Sequence, residues 1–166
     1  TCYESNYAFF SLLLQLGYDG YLTINNMGDN IGCHTAIIVL LDGEKWMVDA
    51  GLPIFALLPI RAGETTLVEN NFFLYTVESL ENDAYDILRQ PHTRRNAFTL
   101  IDKPIDEETY RQATINDYIP ESGLFLDKLV INKVVNGHIW RFNSYERPLN
   151  MHKFINEIRH DYALTH

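Results

Sequence analysis

His34 to Ala50 reads HTAIIVLLDGEKWMVDA, and this stretch decides the fold. The run His34 to Leu41 is apolar on both faces, the pattern of a fully buried strand. Asp42-Gly43 is a strong hairpin turn, and Lys45 to Ala50 is the returning arm. With a two-residue turn, Leu41 pairs with Glu44 and Asp49 falls opposite Ala36. Ala36 shares a face with His34, because strand side chains alternate with period two. Asp49 is then a diagonal neighbour of His34, about 7–8 Å away between backbone positions. A three-residue turn would put the two on opposite faces.

Upstream of the hairpin, Thr1-Cys2-Tyr3-Glu4 fits a capping box, with Thr1 as N-cap and Glu4 at the third helical position. Tyr7, Phe9, Phe10, Leu13 and Leu14 mark an apolar stripe at helical spacing, and Gly17 fits the stop. Tyr21 to Ile24 reads as a short strand, and the Asn- and Gly-rich stretch 25–32 as a loop.

Downstream, 51–59 reads as a Pro-containing loop. Phe72 to Val77 and Asn96 to Ile101 read as strands, and Asp106 to Asp117 as a helix. Phe125 to Val135 and His138 to Asn143 flank Asn136-Gly137, a second hairpin signal. Met151 to Tyr162 is expected to close the chain as an amphipathic helix. Helix, strands, helix, strands, helix, with antiparallel hairpins dominating, is an α+β order rather than a βαβ repeat.

At 166 residues the chain is most simply one domain over 1–166. Its net charge of −9 argues against general nucleic-acid or membrane-surface binding. No apolar run approaches membrane-spanning length. The opening residues are polar and aromatic, so no secretory leader is expected. The two cysteines form neither a disulfide scaffold nor a CxxC, which points to free thiols in a reducing, cytoplasmic compartment.

Three residues stand in nucleophile–base–orienter order: Cys2, His34 and Asp49. At the first helical position Cys2 faces unsatisfied backbone N–H groups and the positive end of the helix dipole, and both favour the thiolate. The blander reading is a small residue filling a helix start. His34 opens a strand of aliphatics, where a strand-edge histidine with a backbone partner is the alternative. Asp49 can accept the imidazole N–H and fix its tautomer, or it can simply end the strand. Cys33 is a rival nucleophile, but as a strand neighbour of His34 it points to the opposite face.

The other histidines, His92, His138, His152, His160 and His166, form no HxxxH and no pairing with a CxxC. His152 and His160 share roughly one helix face, which is thin support, so no metal site is expected. There is no Walker loop, no GxGxxG and no GxSxG.

On these residues the chain resembles the arylamine N-acetyltransferases. TCYESNYAFFSLLLQLGY is similar to that family's cysteine segment, and CHTAIIVLLDGEKWMVDAGLP to its histidine–aspartate hairpin. The His-to-Asp separation matches the family's. NDYIPESGLFLDKLVINKV loosely resembles the region where a PxSxF-like motif precedes a strand pair. The resemblance runs to about Phe142. It implies a cysteine-protease-like core: an N-terminal helix, an antiparallel β-barrel-like sheet and a C-terminal helix. It implies a Cys2–His34–Asp49 triad, and ping-pong transfer of an acetyl or other acyl group from coenzyme A to an arylamine or hydrazine. Acetyl-coenzyme A would be a co-substrate rather than a tightly bound cofactor, with Gly51 and Ser122 among its contacts.

Three departures stand out. The family's helical segment and Arg-Gly-Gly lead-in are not found before Cys2, so a short, N-terminally reduced member is expected. Gly51-Leu52-Pro53 stands where Gly-Phe-Gly is usual, which removes an N–H and backbone freedom. The stretch Pro120 to Phe125 carries an extra residue. Other uses of the same residues remain open: a cysteine peptidase or amidase, a catalytically incomplete relative, or an N-terminal-nucleophile hydrolase acting through Thr1. The last leaves the His34–Asp49 pair unexplained.

Overall fold

The structure is a computed structural model that describes residues 1–52, 54–91, 96–119, 130–135 and 138–143. The chain divides into two compact units, Thr1–Leu124 and Phe125–His166.

The first unit opens with helix α1, Cys2–Gln15, started by the expected capping box. It ends in a Schellman motif: Gly17, at φ +87°, bonds back to Leu14 and Tyr18 to Leu13. The buried face carries Cys2, Tyr3 and Asn6, with Phe9, Phe10 and Leu13 packed beside them. Tyr7 and Leu14 do not belong to it, being 43% and 49% exposed. They lie seven residues apart, hence on one flank of the helix, off the 2–6–9–13 stripe.

Strands β1 (Asp19–Met27) and β2 (Asn30–Leu41) follow. The expected loop over 25–32 is therefore mostly strand, and the turn is Gly28-Asp29, with Met27 opposite Asn30. Asparagine usually marks a loop because its amide competes with the backbone, but here each amide is used within the sheet. Asn25 accepts from the Ile101 N–H at 2.9 Å and donates to Thr23 Oγ1 at 3.0 Å. Asn26 accepts from the Gly32 N–H at 2.9 Å.

At the next hairpin Asp42 and Gly43 both have positive φ, 53° and 81°, as a type I′ turn requires. Leu41 pairs with Glu44 and Ile37 with Val48, the register read from the sequence. Strand β3 is Glu44–Val48.

Strands β4 (Leu58–Ile60), β5 (Thr65–Glu69), β6 (Leu74–Ser79), β7 (Ala84–Gln90) and β8 (Asn96–Ile101) complete an antiparallel sheet ordered β4-β3-β2-β1-β8-β7-β6-β5. β4, β5 and β7 were not expected. Pro59 hides β4 in the sequence, yet proline is tolerated on an edge strand, which β4 is. The sheet curls until its edges meet, and Thr66 Oγ1 of β5 donates to the Pro59 carbonyl of β4 at 3.2 Å. Ile38, Met47, Leu58, Tyr75, Ile87 and Phe98 fill the interior of this near-barrel.

The other face of β1 and β2, through Leu22, Ile37 and Val39, packs on α1 and on Tyr110 of α2 (Glu107–Asp117). Asp106 caps α2 by accepting the Thr109 N–H at 2.8 Å. In the second unit, β9 (Val130–Val135) and β10 (His138–Asn143) pair antiparallel, from His138 opposite Val135 to Asn143 opposite Val130. Pro53, residues 125–129, the Asn136-Gly137 turn and the expected helix over 151–162 lie outside the described residues. Among the described residues, no helix is long and apolar enough to cross a membrane.

Candidate active site

The fold brings Cys2, His34 and Asp49 together from three elements. The capping box fixes where α1 begins, and so places Cys2 in its first turn. The type I′ turn fixes the β2–β3 register, and so places Asp49, one residue past β3, level with Ala36 and on the face of His34. All three are buried, His34 and Asp49 to 2% and 5% exposure.

His34 Nε2 lies 2.6 Å from Asp49 Oδ2. The other carboxylate oxygen, Oδ1, accepts from Asn6 Nδ2 at 3.0 Å, Gly51 N–H at 2.8 Å and Leu52 N–H at 3.0 Å. The two oxygens thus have separate duties: Oδ1 is held by three donors, and Oδ2 is presented to the ring. The imidazole packs on Phe98 at an interplanar angle of 60°, with ring centroids 4.6 Å apart.

Burial works against charge on the imidazole. The Asp49 carboxylate, by its charge and its hydrogen bond, outweighs that, and the Cys2 thiol adds to the effect. The pKa of His34 is pushed up from 6.5 to about 10. Nε2 is committed to Asp49, so Nδ1 is the nitrogen left for Cys2. Cys2 Sγ also lies 3.9 Å from the Cys33 carbonyl oxygen. The side chain of Cys33 turns instead to the Asn30 carbonyl, at 3.3 Å, and burial pushes its pKa up.

Gly51 sits directly beside Cys2. Ser122 lies outside the described residues, as do His92, His152, His160 and His166. Among the described residues, no three of His, Cys, Asp or Glu are grouped to hold a metal ion.

Two supporting residues were missed in the sequence. Asn6 is fully buried; besides Asp49 it donates to the Thr35 carbonyl at 2.8 Å and accepts from the Ala50 N–H at 2.8 Å. Its signal was present: an asparagine four residues after Cys2, on the same face of an otherwise apolar stripe. Tyr110 donates its hydroxyl to the Tyr3 carbonyl at 2.7 Å, next to the peptide of Cys2, and Tyr3 in turn donates to the Gly32 carbonyl at 2.5 Å. Nothing local marks Tyr110, since its partner is 107 residues away.

A thiol at a helix start, an imidazole held by a buried carboxylate, and a saturated second carboxylate oxygen form a nucleophile–base–orienter arrangement suited to acyl transfer.

Comparisons with known proteins identify the family and the fold. The family model described as N-acetyltransferase matches residues 1–141. Arylamine N-acetyltransferase C from Bacillus anthracis superposes with a TM-score of 0.76 at 16% identity, covering 99% of this chain and 73% of that one. An arylamine N-acetyltransferase from Bacillus cereus, which has a Cys-His-Glu catalytic triad, gives 0.69 at 15% identity, over 99% and 73%. The Mycobacterium marinum arylamine N-acetyltransferase, solved in complex with CoA, gives 0.74 at 17% identity, over 86% and 57%. None of the curated proteins matches by sequence. Taken with the family match over residues 1–141, the chain belongs to the N-acetyltransferase family, in the fold of the arylamine N-acetyltransferases.

Proposed function

We propose that this chain moves an acetyl group from acetyl-coenzyme A to an arylamine or hydrazine through a thioester on Cys2. The observation that carries the reading is the 2.6 Å contact between His34 Nε2 and Asp49 Oδ2 beside the Cys2 thiol. In the first half-reaction Cys2 attacks the acetyl carbonyl, its thiol proton resting on His34. The bond to coenzyme A sulfur breaks, and the leaving thiolate takes that proton. In the second half the acceptor nitrogen attacks the thioester, His34 receives the nitrogen's proton, and the Cys2 sulfur leaves. Asp49 offsets the imidazolium charge and fixes the ring throughout.

Acetyl-coenzyme A is a co-substrate in this scheme, consumed in each turnover rather than held. The M. marinum relative in complex with CoA supports that choice of donor. Ser122 stays a proposed coenzyme A contact on the resemblance alone. A free thiol nucleophile suits a reducing compartment such as the cytoplasm.

Intact mass tests the scheme. Incubation with acetyl-coenzyme A is expected to add one acetyl group, which Cys2→Ala abolishes. An arylamine should discharge the adduct faster than water does. Ester or amide hydrolysis through Cys2 without any acetyl adduct would favour a hydrolase instead.

A further inference from the structure

The loop after Asp49 runs against the start of α1 with no room between them. A Cβ added at Gly51 would lie 2.5 Å from Cys2 Cβ, 2.6 Å from Cys2 Cα and 3.2 Å from Asn6 Nδ2. The first two distances are far inside van der Waals contact, and one involves backbone, which cannot rotate away. Gly51 is not in the left-handed region, so glycine serves here for space and not for backbone freedom. The same residue donates its N–H to Asp49 Oδ1. One residue therefore touches the nucleophile on one side and the orienter on the other.

We propose that Gly51 is a positioning residue whose bare Cα lets the start of α1 sit flush on the Asp49 loop and thereby sets the placement of the Cys2 thiol against His34. The proposal rests on the reading of Cys2 as the acyl carrier. Its physical content is a spacing: any side chain at 51 drives Cys2 and the Asp49 loop apart. A displacement of about 1 Å at reacting groups can cost on the order of a hundredfold in rate.

Gly20 supplies a matched control within the same molecule. A Cβ there would meet the Ile38 carbonyl oxygen at 2.2 Å, an equally severe clash that involves neither Cys2 nor the Asp49 loop. The readout is the ratio of iodoacetamide alkylation at Cys2 to that at Cys33, followed by peptide mass in the folded full chain. Gly51→Ala and Gly20→Ala are both expected to lower the melting temperature. Only Gly51→Ala should lower the ratio, by about tenfold or more. An unchanged ratio in Gly51→Ala, or an equal fall in Gly20→Ala, overturns the proposal. If Gly51→Ala does not fold in buffer alone, the same ratio is read for both variants in sucrose, which favours the compact state, and an unchanged ratio in Gly51→Ala there overturns the proposal as well. Alkylation needs no acetyl-coenzyme A, so a parent chain that takes no acetyl group counts against the function and leaves this test intact.

Discussion

Asn6 Nδ2 donates to Asp49 Oδ1 at 3.0 Å, and that bond helps leave Oδ2 to His34. The asparagine is on the helix that carries Cys2, and the aspartate directly follows the hairpin strand that pairs with the strand of His34. The bond ties the two halves of the site together from within a buried layer.

Asn6→Ala should therefore harm both stability and chemistry. It strips partners from Asp49 Oδ1, the Thr35 carbonyl and the Ala50 N–H. Asp49 Oδ1 keeps its Gly51 and Leu52 donors, and the other two groups, left unpaired at about 1–3 kcal/mol each, set an expected urea unfolding loss of roughly 2–6 kcal/mol. Acetylation of Cys2 should slow as well. A loss within about 0.5 kcal/mol, the range of ordinary surface changes, would show that the network bears no strain of this kind.

Substitutions at Asp49 separate charge from shape. Asparagine can keep the Oδ1 acceptor and its three donors, but it removes the negative charge facing His34. Asp49→Asn should stay folded and lose acyl transfer by on the order of 10⁴-fold, as in the analogous serine-protease change. Asp49→Glu keeps the charge, and a B. cereus relative has a Cys-His-Glu catalytic triad. The glutamate variant should retain more activity than the asparagine variant in a single-turnover assay. The reverse ranking would mean that the fit of the Oδ1 donors matters more than the charge.

The hairpin carries most of what the sequence reveals about this site. Asp42-Gly43 favours a type I′ turn, a two-residue turn fixes the register, and the register puts Asp49 on the face of His34. The capping box does the same for Cys2. Both are local signals, decided within a few residues. β4 and β5 are harder, because both are short edge strands and Pro59 breaks the strand signal of β4, whereas β7 lies inside the sheet and is set by its pairing with β6 and β8. Asn25 and Asn26 mislead for a related reason: their amides suggest a loop until the Ile101 and Gly32 N–H groups arrive from elsewhere in the fold. Tyr110 is beyond any local reading, since its role depends on a carbonyl at position 3.

Stability should carry the signature of His34. Its pKa in the folded chain is raised from 6.5 to about 10, chiefly by Asp49 against the opposing effect of burial. A group raised in this way contributes stability that is fully present below pH 6.5 and is lost as pH climbs through about 10. The urea midpoint of the parent should fall from pH 6.5 to 9, and Asp49→Asn should flatten that slope. An equally steep slope in both chains would place its source elsewhere.

The two thiols offer the most direct test, because each chain contains its own control. Cys2 lies beside the His34 imidazole. Cys33, whose pKa burial raises, turns its thiol to the Asn30 carbonyl. A raised pKa lowers the thiolate fraction of Cys33, and a neighbouring base activates a thiol, so iodoacetamide at pH 7 should modify Cys2 at least about tenfold faster than Cys33. His34→Gln removes the proton acceptor and should bring the two rates together. The ratio must collapse through a fall at Cys2 and not a rise at Cys33, since a rise would mean only that the variant had opened the fold. Equal rates in the parent chain would mean that the geometry around Cys2 does not activate its sulfur, and the thioester scheme would lose its first step.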